Sequence, residues 1–193
     1  MAGGKATARP PSCPPFSVLH PPMPATPDDL FDFLDKLGIA HATVRHAPAF
    51  TVEDARALRG EIAGAHTKNL FLKDKKDALF LVVALEDAAI ELKSLHRRLG
   101  ASGRFSFGSA ELLQATLGVE AGAVTPFAAI NDTAVRVRVV LDAAMMEHAT
   151  LNFHPLRNTM TTSIARDDLV RFLTATAHPP RILAVADPLP PSP

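Results

Sequence analysis

A chain of 193 residues with 20 basic and 20 acidic side chains carries no broad positive field, which argues against indiscriminate nucleic-acid binding. Its single cysteine, Cys13, leaves no disulfide framework, no thiolate metal site and no cysteine nucleophile in the rest of the chain. No run is apolar for long enough to span a bilayer and the N-terminal segment lacks a signal peptide's apolar centre, so a cytoplasmic protein is expected.

Proline divides the chain. Eight of the 17 prolines fall in residues 1–27 and six in 179–193, which leaves Pro48, Pro126 and Pro155 between. Residues 1–25 and 179–193 therefore read as disordered Pro-rich tails around one domain at 26–178, a typical domain size. Met23 is a candidate natural start. Without Lys5, Arg9, Arg181 and Asp187 the domain holds 17 basic and 19 acidic residues, a net −2. A nucleic-acid partner would have to be held locally, by Lys73, Lys75 and Lys76 or by Lys93, Arg97 and Arg98; a solvated turn and a solvated helix face explain the same clusters.

Within the domain, Thr26-Pro27-Asp28-Asp29 predicts a helix start, with an N-cap hydroxyl, proline in the first turn and two acids at the positive end of the dipole. Leu30, Phe31, Leu34 and Leu37 form its apolar face and Gly38 its stop. Residues 40–46 read as a strand, and Thr51 caps a short helix to about Leu58. Residues 67–73 and 78–85 are strand-like runs joined as a hairpin by Asp74-Lys75-Lys76-Asp77. Helices follow at 91–99 and, capped by Ser109, near 110–117. Val135, Val137 and Val139 alternate with Arg136 and Arg138, which predicts a strand with one wet face. Asp142 opens a short helix, Leu151–Phe153 and Asn158–Ile164 read as strands, and Asp167–Ala175 is a helix. Short helices interleaved with hairpin-linked strands indicate a mixed α+β or α/β domain with a largely antiparallel sheet or barrel.

Three segments carry chemistry. Leu151–Thr162 packs two Asn, one His, one Arg and three Thr among apolar neighbours, a density a buried strand avoids unless each polar group finds a partner; such groups often line a pocket. In it, His154 precedes Pro155 and is biased to an extended backbone. A structural histidine, a general base and an orienting group for a ligand hydroxyl or phosphate all remain open. Lys68 stands beside Asn69 at the start of a strand. A lysine there is most often a solvent-facing edge residue, whereas a partly buried one is a fixed cation for a carbonyl or phosphate oxygen. Gly122-Ala123-Val124-Thr125-Pro126-Phe127 is a loop whose amides, curled about a glycine, can face one anionic oxygen; an ordinary loop fits equally. Asn131-Asp132 reads as a tight turn closed by Asx-type bonds. No Ser-His-Asp arrangement, P-loop or paired metal-ligand spacing is legible.

Taken in order, three blocks resemble the YbaK/ProX family of aminoacyl-tRNA deacylases, the prolyl-tRNA synthetase insertion-domain superfamily. They are His66 to Lys76, then Gly118-Val119 with Gly122 to Phe127 and Ile130-Asn131-Asp132, then Leu151 to Thr162. The likeness spans roughly residues 25–178 and looks closest to the free-standing branch, ProXp-ala or PrdX, that clears alanine from proline tRNA. The resemblance implies a mixed α/β fold, a curved, mostly antiparallel, barrel-like sheet with short helices around it. It implies an enzyme, a trans-editing aminoacyl-tRNA hydrolase acting on Ala-tRNA(Pro), with no cofactor and no metal. Its partner would be the acceptor end of aminoacylated proline tRNA, with prolyl-tRNA synthetase or an elongation factor as candidate helpers, and a monomer is expected.

Residue by residue, Lys68 matches the family's essential lysine, and Gly122, Ala123, Val124, Thr125 and Pro126 match its GxxxP loop. Asn69, His154 and Asn158 match pocket positions, with Phe153 or Phe71 as an apolar wall. In the mechanism so implied, amides of Gly122 to Thr125 stabilise the carbonyl oxyanion, Lys68 anchors the adenosine phosphate or the carbonyl, and the substrate's ribose hydroxyl activates water. A deacylase for Cys- or Ser-charged tRNA, a silent tRNA- or synthetase-binding module, and a small-molecule sensor domain without RNA are the alternatives. Ala165 stands where a capping side chain is expected before the last helix.

Overall fold

The computed structural model describes residues 23–46 and 62–186; the helix expected from Thr51 lies outside them. The described residues form four helices, α1 (Pro27–Lys36), α2 (Leu92–Leu99), α3 (Ala110–Leu117) and α4 (Arg166–Ala175). Their strands are β1 (His41–Arg45), β2 (Ala65–Lys73), β3 (Leu79–Leu85), β4 (Ser106–Phe107), β5 (Val137–Asp142), β6 (Thr150–Phe153), β7 (Met160–Ala165) and β8 (Arg181–Leu183).

Local signals account for the helix ends. The Thr26 hydroxyl accepts the Asp29 amide while the Asp29 carboxylate takes the Thr26 amide, a reciprocal capping box. Ser109 caps α3 on the Leu112 amide at 3.2 Å. Ala165 leaves α4 without a side-chain cap, as its residue type implies.

These eight strands join one mixed sheet, in the order β1-β7-β6-β2-β3-β5-β8 with β4 alongside β2. The pairs β1·β7, β7·β6, β2·β3 and β2·β4 are antiparallel, and β2·β6, β3·β5 and β5·β8 parallel. β2 is the hinge of the sheet. Its first residues, Ala65 and His66, pair with β6, while Thr67 to Lys73 pair with β3. Past the divergence from β6, that edge of β2 has no ladder partner among the described residues until Leu72 meets β4.

Two apolar cores sit on opposite faces. Phe71, Leu81, Val83, Leu141, Leu151, Phe153 and Ile164 face α1, α3 and α4, whereas Leu72, Phe80, Val82, Ala84 and Val140 face α2. β3 is buried on both faces up to its last residue, which explains its unbroken Leu-Phe-Leu-Val-Val-Ala-Leu run. Phe127 joins the larger core by edge-to-face contacts with Phe153 and Phe172.

The structure corrects four readings. Residues 181–183 are not tail: they form β8 against β5, and Val185 is buried with its amide on the Asp142 carboxylate at 2.9 Å. Proline density hid the short apolar run Ile182–Val185. β5 starts at Val137, because Val135 sits exposed at φ 52° in the preceding turn, an outlier for a β-branched residue. Asp142 ends β5 rather than opening a helix; only a 3₁₀ turn, Met145–Glu147, follows. Asn131-Asp132 is tied by long-range bonds instead of Asx bonds. Asp132 accepts the Val137 amide at 2.8 Å and pairs with His178 at 3.1 Å, and the Asn131 amide group bonds the Leu117 carbonyl and the Ala25 amide.

Candidate active site

A cleft of about 390 Å³ opens between the end of α3, the Gly122 loop and residues Leu156–Thr159, with Met23–Pro27 along its rim. Its position is set by two glycines. Gly118 ends α3 at φ 65°, and a Cβ there would lie 2.6 Å from Pro24, so only glycine lets the N-terminal segment close the rim. Gly122 faces Asn158, whose Nδ2 would stand 3.4 Å from an added Cβ. The loop and the polar segment, well separated in sequence, thus form two facing walls.

The GxxxP loop is two short 3₁₀ pieces, Ala121–Ala123 and Pro126–Asn131. The Ala123 amide is committed to the Glu120 carbonyl at 2.8 Å. The Thr125 hydroxyl accepts the Phe127 amide at 3.3 Å and caps the second piece, with Pro126 in its first turn. Thr125 and Pro126 are buried in structural roles, Val124 is half-buried, and Gly122 is exposed. Ala121 and Gly122 begin the first 3₁₀ turn, where amides have no partner inside the turn.

In the polar segment, Leu151–Phe153 are buried in β6. Phe153, expected as a pocket wall, is only 2% exposed and packs on Phe127, and Phe71 lies against Gly108; both are core residues. Asn152 is internally satisfied: Ser163 donates to its Oδ1 at 2.6 Å and its Nδ2 donates to the Ala63 carbonyl at 3.2 Å. The chain then turns about Pro155, the Leu156 amide returning to the His154 carbonyl at 2.9 Å, and Leu156 takes φ 64°. A bulky residue in that region is strained, and strain of this kind gathers at functional sites. Leu156 was invisible to sequence reasoning, since nothing in its residue type signals a left-handed backbone; the same is true of the Met23–Pro27 rim.

His154 Nδ1 stands 2.9 Å from the Met160 carbonyl. A carbonyl only accepts, so Nδ1 carries the hydrogen and Nε2 keeps its lone pair. Burial pushes the His154 pKa below the ordinary histidine value, a shift that the Met160 bond opposes and nearby His46, 6.4 Å away ring to ring, reinforces. His154 is therefore a neutral acceptor at neutral pH.

Lys68 and Asn69 part company because adjacent strand residues face opposite ways. Asn69 shares the face of Phe71, toward the Gly122 loop's side of the sheet, and its Oδ1 is buried without a hydrogen-bond partner among the described residues. Lys68 shares the face of Leu70 and Leu72, toward α2, and its ammonium donates to the Ala88 carbonyl. The structure thus joins Ala123 and Asn158 at one cleft, with Gly122 against Asn158, and leaves Lys68 across the sheet. Among the described residues no group of three or more His, Cys, Asp or Glu could hold a metal ion, and no helix is long and apolar enough to cross a membrane.

Comparison with known proteins bears on this geometry. Residues 46–172 match the family model described as the aminoacyl-tRNA editing domain. The zebrafish (Danio rerio) prolyl-tRNA synthetase associated domain-containing protein 1 is 40% identical over 158 residues, 81% of this chain and 85% of that protein. The prolyl-tRNA editing protein ProX of Acetoanaerobium sticklandii is 35% identical over 146 residues, 75% of this chain and 88% of its own length. A solved structure described as a "putative trans-editing enzyme for prolyl tRNA synthetase" superposes with a TM-score of 0.63 over 85% of this chain and 99% of its own, at 15% identity, a likeness of fold. With the family model covering most of the described domain, including β2, the Gly122 loop and the polar segment, the chain belongs to the aminoacyl-tRNA editing domain family.

Proposed function

We propose that this chain is a trans-acting deacylase that hydrolyses the ester of alanine mistakenly attached to proline tRNA. The observation that supports the choice of alanine is the narrow gap beside the cleft: a Cβ added to Gly122 would already stand 3.4 Å from Asn158, so the gap has room for about one methyl group and crowds a pyrrolidine ring. A synthetase pocket shaped for proline rejects the smaller alanine weakly, because each missing methylene is worth only about 1–3 kcal/mol. A second, smaller sieve reverses that preference. The name of the ProX relative, an editing protein, supports the reading.

In the proposed mechanism the aminoacyl end enters between Gly122 and Asn158. Ester hydrolysis builds negative charge on the carbonyl oxygen, and the amide at Gly122, at the open end of its 3₁₀ turn, donates to it. The neutral Nε2 of His154 accepts a hydrogen bond from the ribose hydroxyl or the attacking water, and the orphaned Oδ1 of Asn69 accepts from the substrate's amine or hydroxyl. Lys68, on the other face of β2, holds a phosphate of the acceptor strand in exchange for its Ala88 contact rather than the reacting carbonyl.

The test is release of amino acid from proline tRNA charged in turn with alanine, serine, cysteine and proline, with wild type and Lys68→Ala in parallel. Alanine is expected to leave fastest, proline to be spared, and Lys68→Ala to lose at least tenfold, mostly in KM. Equal cleavage of alanyl and prolyl esters would remove the sieve. Full activity of Lys68→Ala would remove the lysine, and tRNA binding without any hydrolysis would favour a silent binding module.

A further inference from the structure

We infer that the α2 side of the sheet is a second contact surface for the same substrate, one that grips the RNA backbone away from the ester; this rests on the tRNA reading above. The chain is neutral overall, yet six of its exposed cations cluster. Lys75 and Lys76 at the tip of the β2–β3 hairpin, Arg97 on the last turn of α2, Arg104 in the loop after it, Arg138 on β5 and Arg181 on β8 all emerge at one end of this face.

Specific bonds bring them together. The Asp74 carboxylate takes the Lys76 and Ala78 amides at 2.8 and 3.0 Å and the Ser102 amide at 2.9 Å, which ties the hairpin tip to the loop after α2. The Lys75 stem lies so close to Gly103 that a Cβ there would meet it at 2.8 Å. Arg181 reaches the Leu99 carbonyl at the end of α2 at 3.0 Å, and Arg138 stacks 5.4 Å above Phe80, itself edge-on to Phe105. The exposed acid on the hairpin, Asp77, is held by Lys73 at 2.8 Å. Acidic charge gathers away from this end, with Asp28, Asp29, Asp32 and Asp35 along the turns of α1 and Glu86, Asp87 and Glu91 between β3 and the start of α2.

A second observation points to nucleic acid rather than to an acidic protein. Phe107 is 61% exposed on β4, and its register partner Leu72 places it on the α2 face beside the hairpin. An exposed aromatic ring bordering clustered cations is the arrangement that stacks an unpaired base while phosphates are neutralised.

The experiment is fluorescence anisotropy of labelled, uncharged proline tRNA against the full chain, over a range of salt. It compares wild type, the triple variant Lys76→Glu/Arg97→Glu/Arg104→Glu, and Phe107→Ala, with circular dichroism confirming the fold of each. The triple variant is expected to bind at least tenfold more weakly, with a salt slope smaller by about 2–3, near one for each phosphate no longer neutralised. Phe107→Ala is expected to weaken binding with the slope unchanged. Binding within twofold of wild type at an unchanged slope in the triple variant would overturn the inference, as would equal competition by polyglutamate or no tRNA binding by the wild type. Intact alanyl-ester hydrolysis alongside an unaffected triple variant would sink this inference alone, whereas weakened tRNA binding in the variant with no hydrolysis by wild type would sink only the deacylase reading.

Discussion

Replacing Asp132 by alanine should destabilise the domain more than any surface substitution, and the magnitude follows from two contacts. Asp132 is 3% exposed and accepts the Val137 amide at 2.8 Å and His178 Nε2 at 3.1 Å, both donors being buried themselves. Alanine leaves each without a partner. An unsatisfied buried donor costs roughly 1–3 kcal/mol, so the pair sums to about 2–6 kcal/mol. Against a typical domain stability of about 5–15 kcal/mol, and about 2–4 °C per kcal/mol at this size, Tm should fall by roughly 10 °C. Both bonds end on the same carboxylate oxygen, so Asp132→Asn, which keeps one acceptor oxygen, should lose well under half as much. Urea unfolding followed by circular dichroism, with m unchanged, gives the number. Because Asp132 closes the segment that begins at Pro126, amide exchange over 127–131 should quicken in the same variant. A loss below about 1 kcal/mol for Asp132→Ala would refute the reasoning, since it would mean that water or another acceptor replaces both bonds.

Three further outcomes are expected. For His154 the folded pKa lies below the ordinary 6.5, so its neutral form persists into mild acid. The unfolded chain then takes up the proton first, and stability, flat above about pH 6.5, falls as acid carries the pH from there through the folded value. Deacylation should show the same acid limb and His154→Gln should lack it; NMR titration of His154 at or above 6.5 would contradict the burial argument. Gly122→Val should fold normally, since Gly122 is exposed and not at positive φ, but its branches would meet Asn158 and cut alanine release by tenfold or more without changing Tm. Ala165→Asp should raise stability by about 0.5–2 kcal/mol in thermal melts, by capping α4 where no side chain now does so.

Most elements of this fold are legible one at a time. The Thr26 capping box, the Asp74–Asp77 hairpin, the Ser109 cap and the twice-buried β3 each depend on neighbours within a few residues, where spacing and residue type suffice. The polar segment at 151–162 was legible as unusual because polar groups in an apolar setting need partners wherever they end up. β8 was not legible, because pairing with the distant β5 decides more than local proline content. Val135 and Leu156 at positive φ were hidden for the same reason: tertiary contacts hold them where their residue types resist.

The family-bearing blocks, the mixed class and the residues able to do chemistry can all be read along the chain. Which of them meet depends on the packed fold. Strand alternation sent Asn69 toward the side of the Gly122 loop and Lys68 toward α2, and packing committed Thr125, Pro126 and Phe153 to capping and core. The fold also gathered cations from separate segments of the chain onto one end of a face. The physical reason is that side-chain chemistry is local, whereas direction and company depend on register and on which faces the two cores claim.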